Sequence, residues 1–402
     1  MAELSSLLER FEASAISAIF NRAVVLRAEG RDLADFSTGE PHFDTPVHIR
    51  QAAKRAIDTG QTRYTGIAGR LDLRQAVGRK FRRDNALDYP PDQIVVSAGA
   101  KPLLFKVLQA LAEPGSEVVI AAPLWPSHLG AIQLSGATPL IVETGAADDF
   151  KLTPPALAAA IGADTSCLLL CSPGNPSGAV YSSDELAALG QVLLDHPKVW
   201  VISDDLYEHI IFAGRRLATM ASAEPRLFER TLTINGVSKG YAMTGWRIGY
   251  AGGPKPAIDA VRRIMSQSEG CPCSISQAAA LAALDGPQDF LAEWSAHYEA
   301  RLKRAVQVLA RAPGLECPMP EGGFYLFPRC AGVIGKQAAD GGKIASSSEL
   351  ARYLLDDWGV VVVPGPAFAA DPHFRMSVAL AEKELDKGLA RIVEACAALA
   401  SR

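Results

Sequence analysis

Short apolar runs alternate with longer helical patterns through the first two thirds of this 402-residue sequence. Each run has the length of a strand and is apolar nearly throughout, which is typical of a strand covered on both faces. Strand followed by helix, repeated, predicts an α/β fold with a mainly parallel sheet between helices. Ligands of such a sheet bind beyond the carboxyl ends of its strands. The predicted strands are residues 93–97, 117–121, 167–171, 199–203, 231–235 and 247–251, and helical patterns between them include 101–112 and 183–194.

The last hundred residues follow a different pattern, which predicts a smaller α+β domain. We expect an N-terminal segment (residues 1–44) that packs with this small domain (residues 291–402), and a large domain between them (residues 45–290). The elements of the small domain are a long helix at 287–312, a Gly-Gly-Phe-Tyr-Leu-Phe strand, a helix at 347–358, an apolar run at 359–363, a strand at 374–379 and a closing helix.

Composition restricts the possible partners and compartment. Apolar residues make up 49% of the chain, charged residues 21%, and the net charge is -4, so a nucleic-acid partner is not expected. The sequence has neither a secretory signal nor a long uncharged apolar run, so no membrane association is expected. The seven cysteines are scattered, and Cys271 and Cys273 lack the spacing and histidine neighbours of a zinc site. We therefore expect a cytoplasmic protein without disulfides or a metal.

Asp204 directly follows the predicted strand at 199–203, and Tyr207 comes three residues later. A carboxylate at this place points into the crevice, where it could keep a heterocyclic nitrogen protonated. Alternatively, Asp204 caps the N-terminus of a following helix, a common role for aspartate. Taken alone, the position favours the helix cap.

Ser238 and Lys239 follow the predicted strand at 231–235, and Arg247 lies eight residues further on. A lysine surrounded by apolar groups and other cations has a lowered pKa, and its neutral amine can attack an aldehyde. A serine hydroxyl and an arginine beside it suit a phosphate. The alternative is a solvated surface lysine, although the neighbouring Gly-Tyr-Ala-Met-Thr-Gly-Trp sequence does not resemble an exposed loop.

The sequence Ser97-Ala-Gly-Ala-Lys101 follows another strand and begins a helix. Its small residues would let backbone N–H groups approach a phosphate at a helix N-terminus. It is neither a Walker loop nor a Gly-x-Gly-x-x-Gly motif. A plain turn between strand and helix is the alternative.

Three further residues suit an aromatic cofactor or a carboxylate substrate. Asn175 lies in a rigid Ser-Pro-Gly-Asn-Pro-Ser-Gly turn and can offer its amide to a phenolic oxygen. Trp125 could stack on a flat ring or simply pack in the core. Arg375 could bind a carboxylate through both nitrogens or form a salt bridge between domains.

These motifs, in this order, resemble those of the class I and II aminotransferases of pyridoxal-phosphate fold type I, especially the bacterial aspartate/prephenate aminotransferase subgroup. The resemblance extends from Ser37-Thr-Gly-Glu-Pro to Arg375-Met-Ser-Val-Ala, and its most specific part is residues 238–250. It implies a mainly parallel seven-stranded sheet sandwiched by helices, with a smaller α+β domain. It also implies pyridoxal 5'-phosphate as cofactor and amino transfer between an L-amino acid and a 2-oxo acid.

The resemblance assigns catalytic and ring-binding roles. Lys239 holds the cofactor as an imine and later moves the substrate proton, and Asp204 pairs with the pyridine nitrogen. Tyr207 and Asn175 hydrogen-bond the ring oxygen, and Trp125 stacks on the ring.

Phosphate and substrate contacts are implied in the same way. The phosphate is held by Ser238, Arg247 and the backbone of Gly99, Ala100 and Lys101. The substrate α-carboxylate is bound by Arg375, helped by Asn175 and the backbone of Gly39, with Trp125 and Lys101 completing the substrate site. Tyr64 resembles the tyrosine that reaches the phosphate of the neighbouring subunit, which implies a homodimer with shared active sites.

The chain departs from the subgroup pattern at positions that bear on specificity. His42 replaces the usual aspartate of Gly-Glu-Pro-Asp-Phe, and the loop at 268–273 replaces a stretch rich in hydroxyl residues. In the subgroup, dicarboxylate substrates use the lysine matching Lys101 and hydroxyl residues near the N-terminus. Here Ser14 is present, but Ile16 stands where a threonine is usual. Lys101 therefore favours an aspartate- or glutamate-type co-substrate, whereas Ile16 and the changed loop weaken the case for aspartate itself.

Two alternative functions remain at this point. A β-lyase on the same fold would eliminate a β-substituent from a thioether substrate instead of transferring the amino group. A non-enzymatic pyridoxal-phosphate-sensing domain of a transcription regulator would carry a basic DNA-binding domain ahead of this fold. The Ser-Thr-Gly-Glu-Pro motif begins at residue 37, which leaves no room for such a domain.

Overall fold

The computed structural model describes residues 15–212, 214–339 and 341–399, with side chains from residue 19 onward. Ser14 and the side chain of Ile16 lie outside the described residues. The helices are α1 Ala15–Ala28, α2 Val47–Asp58, α3 Leu71–Asn85, α4 Ala100–Leu111, α5 Pro126–Leu134, α6 Pro154–Ala160, α7 Ser183–Leu194, α8 Met220–Ala223, α9 Lys255–Ser268, α10 Ser274–Asp285, α11 Asp289–Leu309, α12 Ser347–Asp356 and α13 Glu382–Ala398. The strands are β1 Ala34–Asp35, β2 Ile94–Ser97, β3 Glu117–Ala122, β4 Thr138–Glu143, β5 Thr165–Cys171, β6 Trp200–Asp204, β7 Thr231–Gly236, β8 Gly249–Gly252, β9 Tyr325–Leu326, β10 Val360–Val361, β11 Val363–Pro364 and β12 Phe374–Ser377.

Seven strands form the central sheet in the order β2-β8-β7-β6-β5-β3-β4. The pairs from β7 to β4 are parallel, and β8 runs antiparallel to both of its neighbours. The predicted α/β fold with a mainly parallel, seven-stranded sheet is therefore confirmed. Successive residues of a strand face opposite cores: Val118 packs with helices α4, α5 and α9, whereas Val119 packs with α6 and α7. Burial on both faces is what makes these strands apolar nearly throughout.

The sequence prediction misses β4 and misplaces the start of β8. Strand β4 lies at the sheet edge, where its residues are only partly buried or exposed, so it lacks the continuous apolar pattern of the inner strands. Arg247 was placed in a strand but lies just before β8 with a left-handed φ of 55°. This turn directs the Arg247 side chain toward the first turn of α4, where it approaches Gly99.

The C-terminal part forms a three-stranded antiparallel sheet, in the order β11-β12-β9, packed against α11, α12 and α13. Strand β1 pairs in parallel with β10, so the N-terminal segment joins this part of the molecule. Phe36 and Tyr207 share its hydrophobic core with residues from α11 to α13. The boundaries at residues 44 and 290 stay predictions. Among the described residues, no helix combines the length and the hydrophobicity needed to span a bilayer.

A buried ionic cluster connects α3 with the turn that follows β6. Lys80 is fully buried and forms a close ion pair with Glu208. Asn85 accepts a hydrogen bond from Lys80 Nζ at 2.7 Å and donates one to Glu208 at 2.8 Å. His209 Nε2 lies 3.2 Å from the same carboxylate. Asp84, Glu208 and His209 are near enough to one another to hold a metal ion, but Lys80 already neutralises Glu208.

Lys80→Met should destabilise the fold by about 3–5 kcal/mol, because it leaves the Glu208 carboxylate buried without its cation. The double variant Lys80→Met/Glu208→Leu should recover most of that loss, since removing both charges also removes their desolvation cost. Urea unfolding followed by circular dichroism measures both changes. Lys303→Met, which removes an exposed ion pair with Glu299, is the control and should leave the free energy of unfolding nearly unchanged. Equal losses in the single and double variants would contradict this account.

Candidate active site

One cavity of about 580 Å³ opens at the carboxyl ends of the central strands. It brings together residues that are far apart in sequence but were predicted to share a site. Those that line it are Gly39, Ala100, Lys101, Trp125, Asn175, Asp204, Tyr207, Ser238, Lys239, Arg247 and Arg375. Gly99 lies directly beside Arg247. Tyr64 does not line the cavity, and 98% of it is exposed.

The register of the sheet explains this convergence. Cys171 at the end of β5 pairs with Asp204 at the end of β6, which pairs in turn with Ile234 of β7. Lys239 follows β7 and therefore emerges at the same edge. On the other side, Ser97 at the end of β2 pairs with Gly249 at the start of antiparallel β8. This pairing places Arg247 beside the first turn of α4.

Asp204 is buried, and its Oδ2 lies 2.9 Å from His128 Nε2. The residues after it form a turn at 206–209 and not a helix, so the prediction of a helix cap is wrong. His128 was not identified from the sequence, although it lies three residues after Trp125 in the first turn of α5. A buried carboxylate held by an imidazole at the cavity wall suits a protonated ring nitrogen.

Lys239 is partly buried and lines the cavity. Its Nζ donates a hydrogen bond to the Gly39 carbonyl at 2.5 Å and lies 5.7 Å from the Tyr207 ring centroid. Burial, followed by the positive charges of Arg375 and Arg247, lowers the pKa of Lys239 to about 8, against the opposing effects of Glu40 and Asp204. These are the causes that the sequence indicated, and they contradict the alternative of a solvated surface lysine.

The turn between β2 and α4 forms a cradle suited to a phosphate. Gly99 has a φ of 111°, and a Cβ there would lie 2.5 Å from Arg247 Nη2, so glycine is required for the guanidinium to approach. Gly249 is packed equally tightly against the backbone of Ala100. The first turn of α4, Ser238 and Arg247 all line the cavity. Such a set of donors favours a bound anion.

Arg375 is 3% exposed, yet no carboxylate in the described part of the chain pairs with it. Its Nη1 donates to Asn175 Oδ1 at 3.2 Å and its Nη2 to the Ser37 carbonyl at 2.7 Å, while Nε has no partner among the described residues. The salt-bridge interpretation is therefore wrong. A buried guanidinium without a counterion, beside a cavity, suits a carboxylate ligand.

Lys101 and Trp125 lie at the exposed side of the cavity. Lys101 Nζ is 5.5 Å from the Trp125 ring centroid and has no ion pair with a described residue. The Trp125 ring is partly exposed and packs edge-on against His128 at 5.3 Å, so it faces the cavity instead of filling the core.

The residues of the cavity fit pyridoxal phosphate. The anion cradle, the buried Asp204 carboxylate and the Lys239 amine of lowered pKa all line this one cavity. Arg375 adds a separate buried cation for a carboxylate. Each group matches one functional group of the cofactor or of an amino-acid substrate.

Comparison with known proteins agrees with this geometry. The model of the aminotransferase class I and II family matches residues 31–392. The chain belongs to the class I and II aminotransferases. It is a pyridoxal-phosphate-dependent enzyme that transfers an amino group between an amino acid and a 2-oxo acid.

Several known aminotransferases align with nearly the whole of this chain. The aspartate/prephenate aminotransferase of Cereibacter sphaeroides is 48% identical over 399 residues, which are 99% of this chain and 100% of the relative. The crystal structure of the Rhizobium meliloti aspartate aminotransferase superimposes with a TM-score of 0.97 at 46% identity, covering 100% of both chains. The Thermus thermophilus aspartate aminotransferase with maleate gives a TM-score of 0.91 at 36% identity, covering 98% of this chain and 100% of that one.

The rate at which the aminotransferase apoenzyme captures added pyridoxal phosphate should rise with pH, with a midpoint near 8. The Lys239 amine must be neutral to react, and its pKa is about 8 where a free lysine has 10.5. Arg375→Ala should move the midpoint upward, because it removes a positive charge that lowers this pKa. Stopped-flow absorbance measures the rate, and an N-acetyl-lysine reaction in the same buffers is the control. A midpoint close to that of the control would contradict the prediction.

Proposed function

We propose that this aminotransferase uses a dicarboxylic amino acid of the aspartate or glutamate type as one of its substrates, and that Lys239 is the residue that binds the cofactor. The observation that carries the proposal is a pair of cations on one cavity, Arg375 in the interior and Lys101 at the exposed side, neither of which pairs with a carboxylate of the described residues. A substrate with two carboxylates could engage both.

Residues of this chain would hold the cofactor at its three polar ends. Asp204, fixed by His128, would pair with the ring nitrogen, and Tyr207 and Asn175 would contact the ring oxygen. Trp125 would cover the ring face. The phosphate would be held by Ser238, Arg247 and the backbone of Gly99, Ala100 and Lys101. When bound, pyridoxal phosphate supplies an aldehyde for the amino group and a protonated ring that withdraws electrons from the substrate α-carbon.

The protein side chains orient the substrate and transfer its proton. Arg375 fixes the substrate α-carboxylate, with Asn175 and the Gly39 backbone beside it, and so orients the Cα–H bond. Lys239 Nζ would act as the general base that accepts the proton from the substrate α-carbon, and then as the general acid that donates it to the cofactor carbon that carried the aldehyde. Its lowered pKa keeps the amine able to do both near neutral pH.

The relatives support this choice of substrate. The Cereibacter sphaeroides relative is named an aspartate/prephenate aminotransferase, and the Rhizobium meliloti relative an aspartate aminotransferase. The Thermus thermophilus enzyme was crystallised with maleate, itself a dicarboxylate. Neither a β-lyase nor a non-enzymatic sensor finds support among these relatives. Release of a 2-oxo acid without free ammonia would distinguish amino transfer from β-elimination.

Arg375→Ala should raise the Michaelis constant for every amino acid, and Lys101→Met should raise it only for dicarboxylic ones. Each variant removes one charged hydrogen bond worth roughly 1.5–3 kcal/mol, or about 10- to 100-fold. A half-reaction screen, in which the visible spectrum of the holoenzyme is followed with each amino acid, measures both effects. Alanine is the control substrate for Lys101→Met. An equal loss for alanine and aspartate in this variant would contradict a dicarboxylate role, whereas an inactive screen for all amino acids with wild-type enzyme would contradict the proposed function.

The assembly is proposed to be a homodimer whose two sites share residues. Tyr64 is almost fully exposed, and the segment from 47 to 71 exposes further large apolar side chains, which is unusual for a free surface. The exposed large apolar side chains of this segment are Val47, Ile57, Tyr64, Ile67 and Leu71. Tyr64 would reach the phosphate of the partner's site.

Mixing Lys239→Ala with Tyr64→Ala after partial unfolding should restore activity. Each mixed dimer would hold one site with both an intact lysine and an intact tyrosine. Initial transamination rate measures the gain, and each variant refolded alone is the control. Light scattering should give twice the mass of the chain. No gain from mixed dimers of proven composition would place Tyr64 outside the neighbouring site.

A reduced, cytoplasmic location belongs to the same proposal. The seven cysteines are all unpaired, and none needs an oxidising compartment.

A further inference from the structure

Tyr325 lines the cavity but has no role in the proposed function so far. It comes from strand β9 in the Gly-Gly-Phe-Tyr-Leu-Phe sequence, and β9 pairs with β12, the strand that carries Arg375. Tyr325 is 1% exposed. A tyrosine this deeply buried usually has a definite partner for its hydroxyl.

The Tyr325 hydroxyl has a hydrogen-bond partner in Tyr207, which also lines the cavity. Its oxygen lies 2.9 Å from that of Tyr207, which comes from the turn after β6. A Cβ on residue 39 would lie 2.8 Å from the same hydroxyl, so Gly39 leaves the space that it occupies. The Tyr325 ring also lies under the Arg375 guanidinium, at 4.5 Å from its Cζ to the ring centroid. One side chain thus touches the residues proposed to bind the cofactor oxygen and the substrate carboxylate.

Both hydroxyls keep their protons at neutral pH. Burial raises the pKa of Tyr207 well above its usual range and also raises that of Tyr325, although Arg375 opposes the rise at each. Cys171 raises the pKa of both tyrosines, and Glu40 raises that of Tyr325. The contact between the two hydroxyls raises the pKa of Tyr207, and its hydrogen bond lowers that of Tyr325.

The number of available protons determines which of the two tyrosine hydroxyls donates to the other once the cofactor is bound. Each hydroxyl has a single proton to donate. If Tyr207 donates its proton to the cofactor ring oxygen, it must accept from Tyr325. Tyr325 in turn has no need to donate elsewhere, because its hydroxyl is enclosed by Tyr207 and the backbone at Gly39.

We propose that Tyr325 is a positioning residue with two separable contacts: its hydroxyl donates to Tyr207 and thereby directs the Tyr207 proton toward the cofactor oxygen, and its ring supports the Arg375 guanidinium. The inference rests on the proposed roles of Tyr207 and Arg375. It adds a direct connection between them, since the same rigid side chain contacts both the cofactor-binding and the carboxylate-binding residue.

The hydroxyl contact is tested by titrating the visible absorbance of the holoenzyme. The cofactor ring oxygen carries its fullest negative charge in the high-pH form, so a hydrogen bond to it favours that form. Tyr325→Phe should therefore raise the midpoint by roughly half a pH unit, and Tyr207→Phe should raise it further. In the double variant the midpoint should equal that of Tyr207→Phe alone, because Tyr325 acts only through Tyr207.

The control is Tyr298→Phe, which removes another buried tyrosine hydroxyl of the same core, hydrogen-bonded to His42 and outside the cavity. Its midpoint should match the wild type. A shift in Tyr207→Phe without one in Tyr325→Phe, or additive shifts in the double variant, would overturn the inference while leaving the role of Tyr207 intact. No shift in Tyr207→Phe would overturn both.

The ring contact is tested by the Michaelis constant for the amino-acid substrate. Tyr325→Phe keeps the ring, so its Michaelis constant reports the loss of the hydroxyl alone and is the reference for the ring. Tyr325→Leu removes the ring as well and should raise the constant roughly 3- to 10-fold above that of Tyr325→Phe, as expected for loss of a buried cation–π contact. Equal constants in the Phe and Leu variants, with both proteins folded by circular dichroism, would overturn the proposed support of Arg375.

Discussion

The parallel pairing of β5, β6 and β7 is the constraint on which the site depends. It places the ends of the three strands side by side, so that Asp204 and Lys239 emerge at one edge of the sheet. Both faces of these strands are buried under helices, which makes the edge rigid. The backbone hydrogen bonds between these strands lie away from the reacting atoms, but they set the separation of the groups that carry out the chemistry.

Charge distribution within the cavity follows from this geometry. Burial of the Lys239 amine, together with the positive charges of the buried Arg375 and the exposed Arg247, lowers its pKa to about 8. Neither Arg375 nor Arg247 forms an ion pair with a carboxylate of the described residues, so both can bind anionic ligands. The enzyme thus uses one electrostatic arrangement for two purposes, to activate an amine and to attract phosphate and carboxylate groups.

Contributions from the C-terminal part complete the site. Arg375 and Tyr325 lie on adjacent antiparallel strands, and both meet groups that come from the central sheet, Asn175 and Tyr207. The hydrogen bonds across this boundary join the two parts of the chain at the cavity itself. Behind Tyr207, the Lys80–Glu208 pair anchors the same turn to α3. The position of the Tyr207 hydroxyl is therefore determined from both sides.

The strand–helix alternation, and with it the fold class, can be predicted from the amino-acid sequence, because burial on both faces leaves a continuous apolar pattern. The sequence also indicated Lys239, Asp204 and Arg375, since each follows or begins a recognisable strand. It did not reveal β4, whose edge position removes that pattern, or the pairing of Asp204 with His128 and of Tyr207 with Tyr325. These contacts join residues from different elements and depend on sheet register and side-chain direction. Neither leaves a local pattern in the sequence, so the contacts become visible in the folded chain alone.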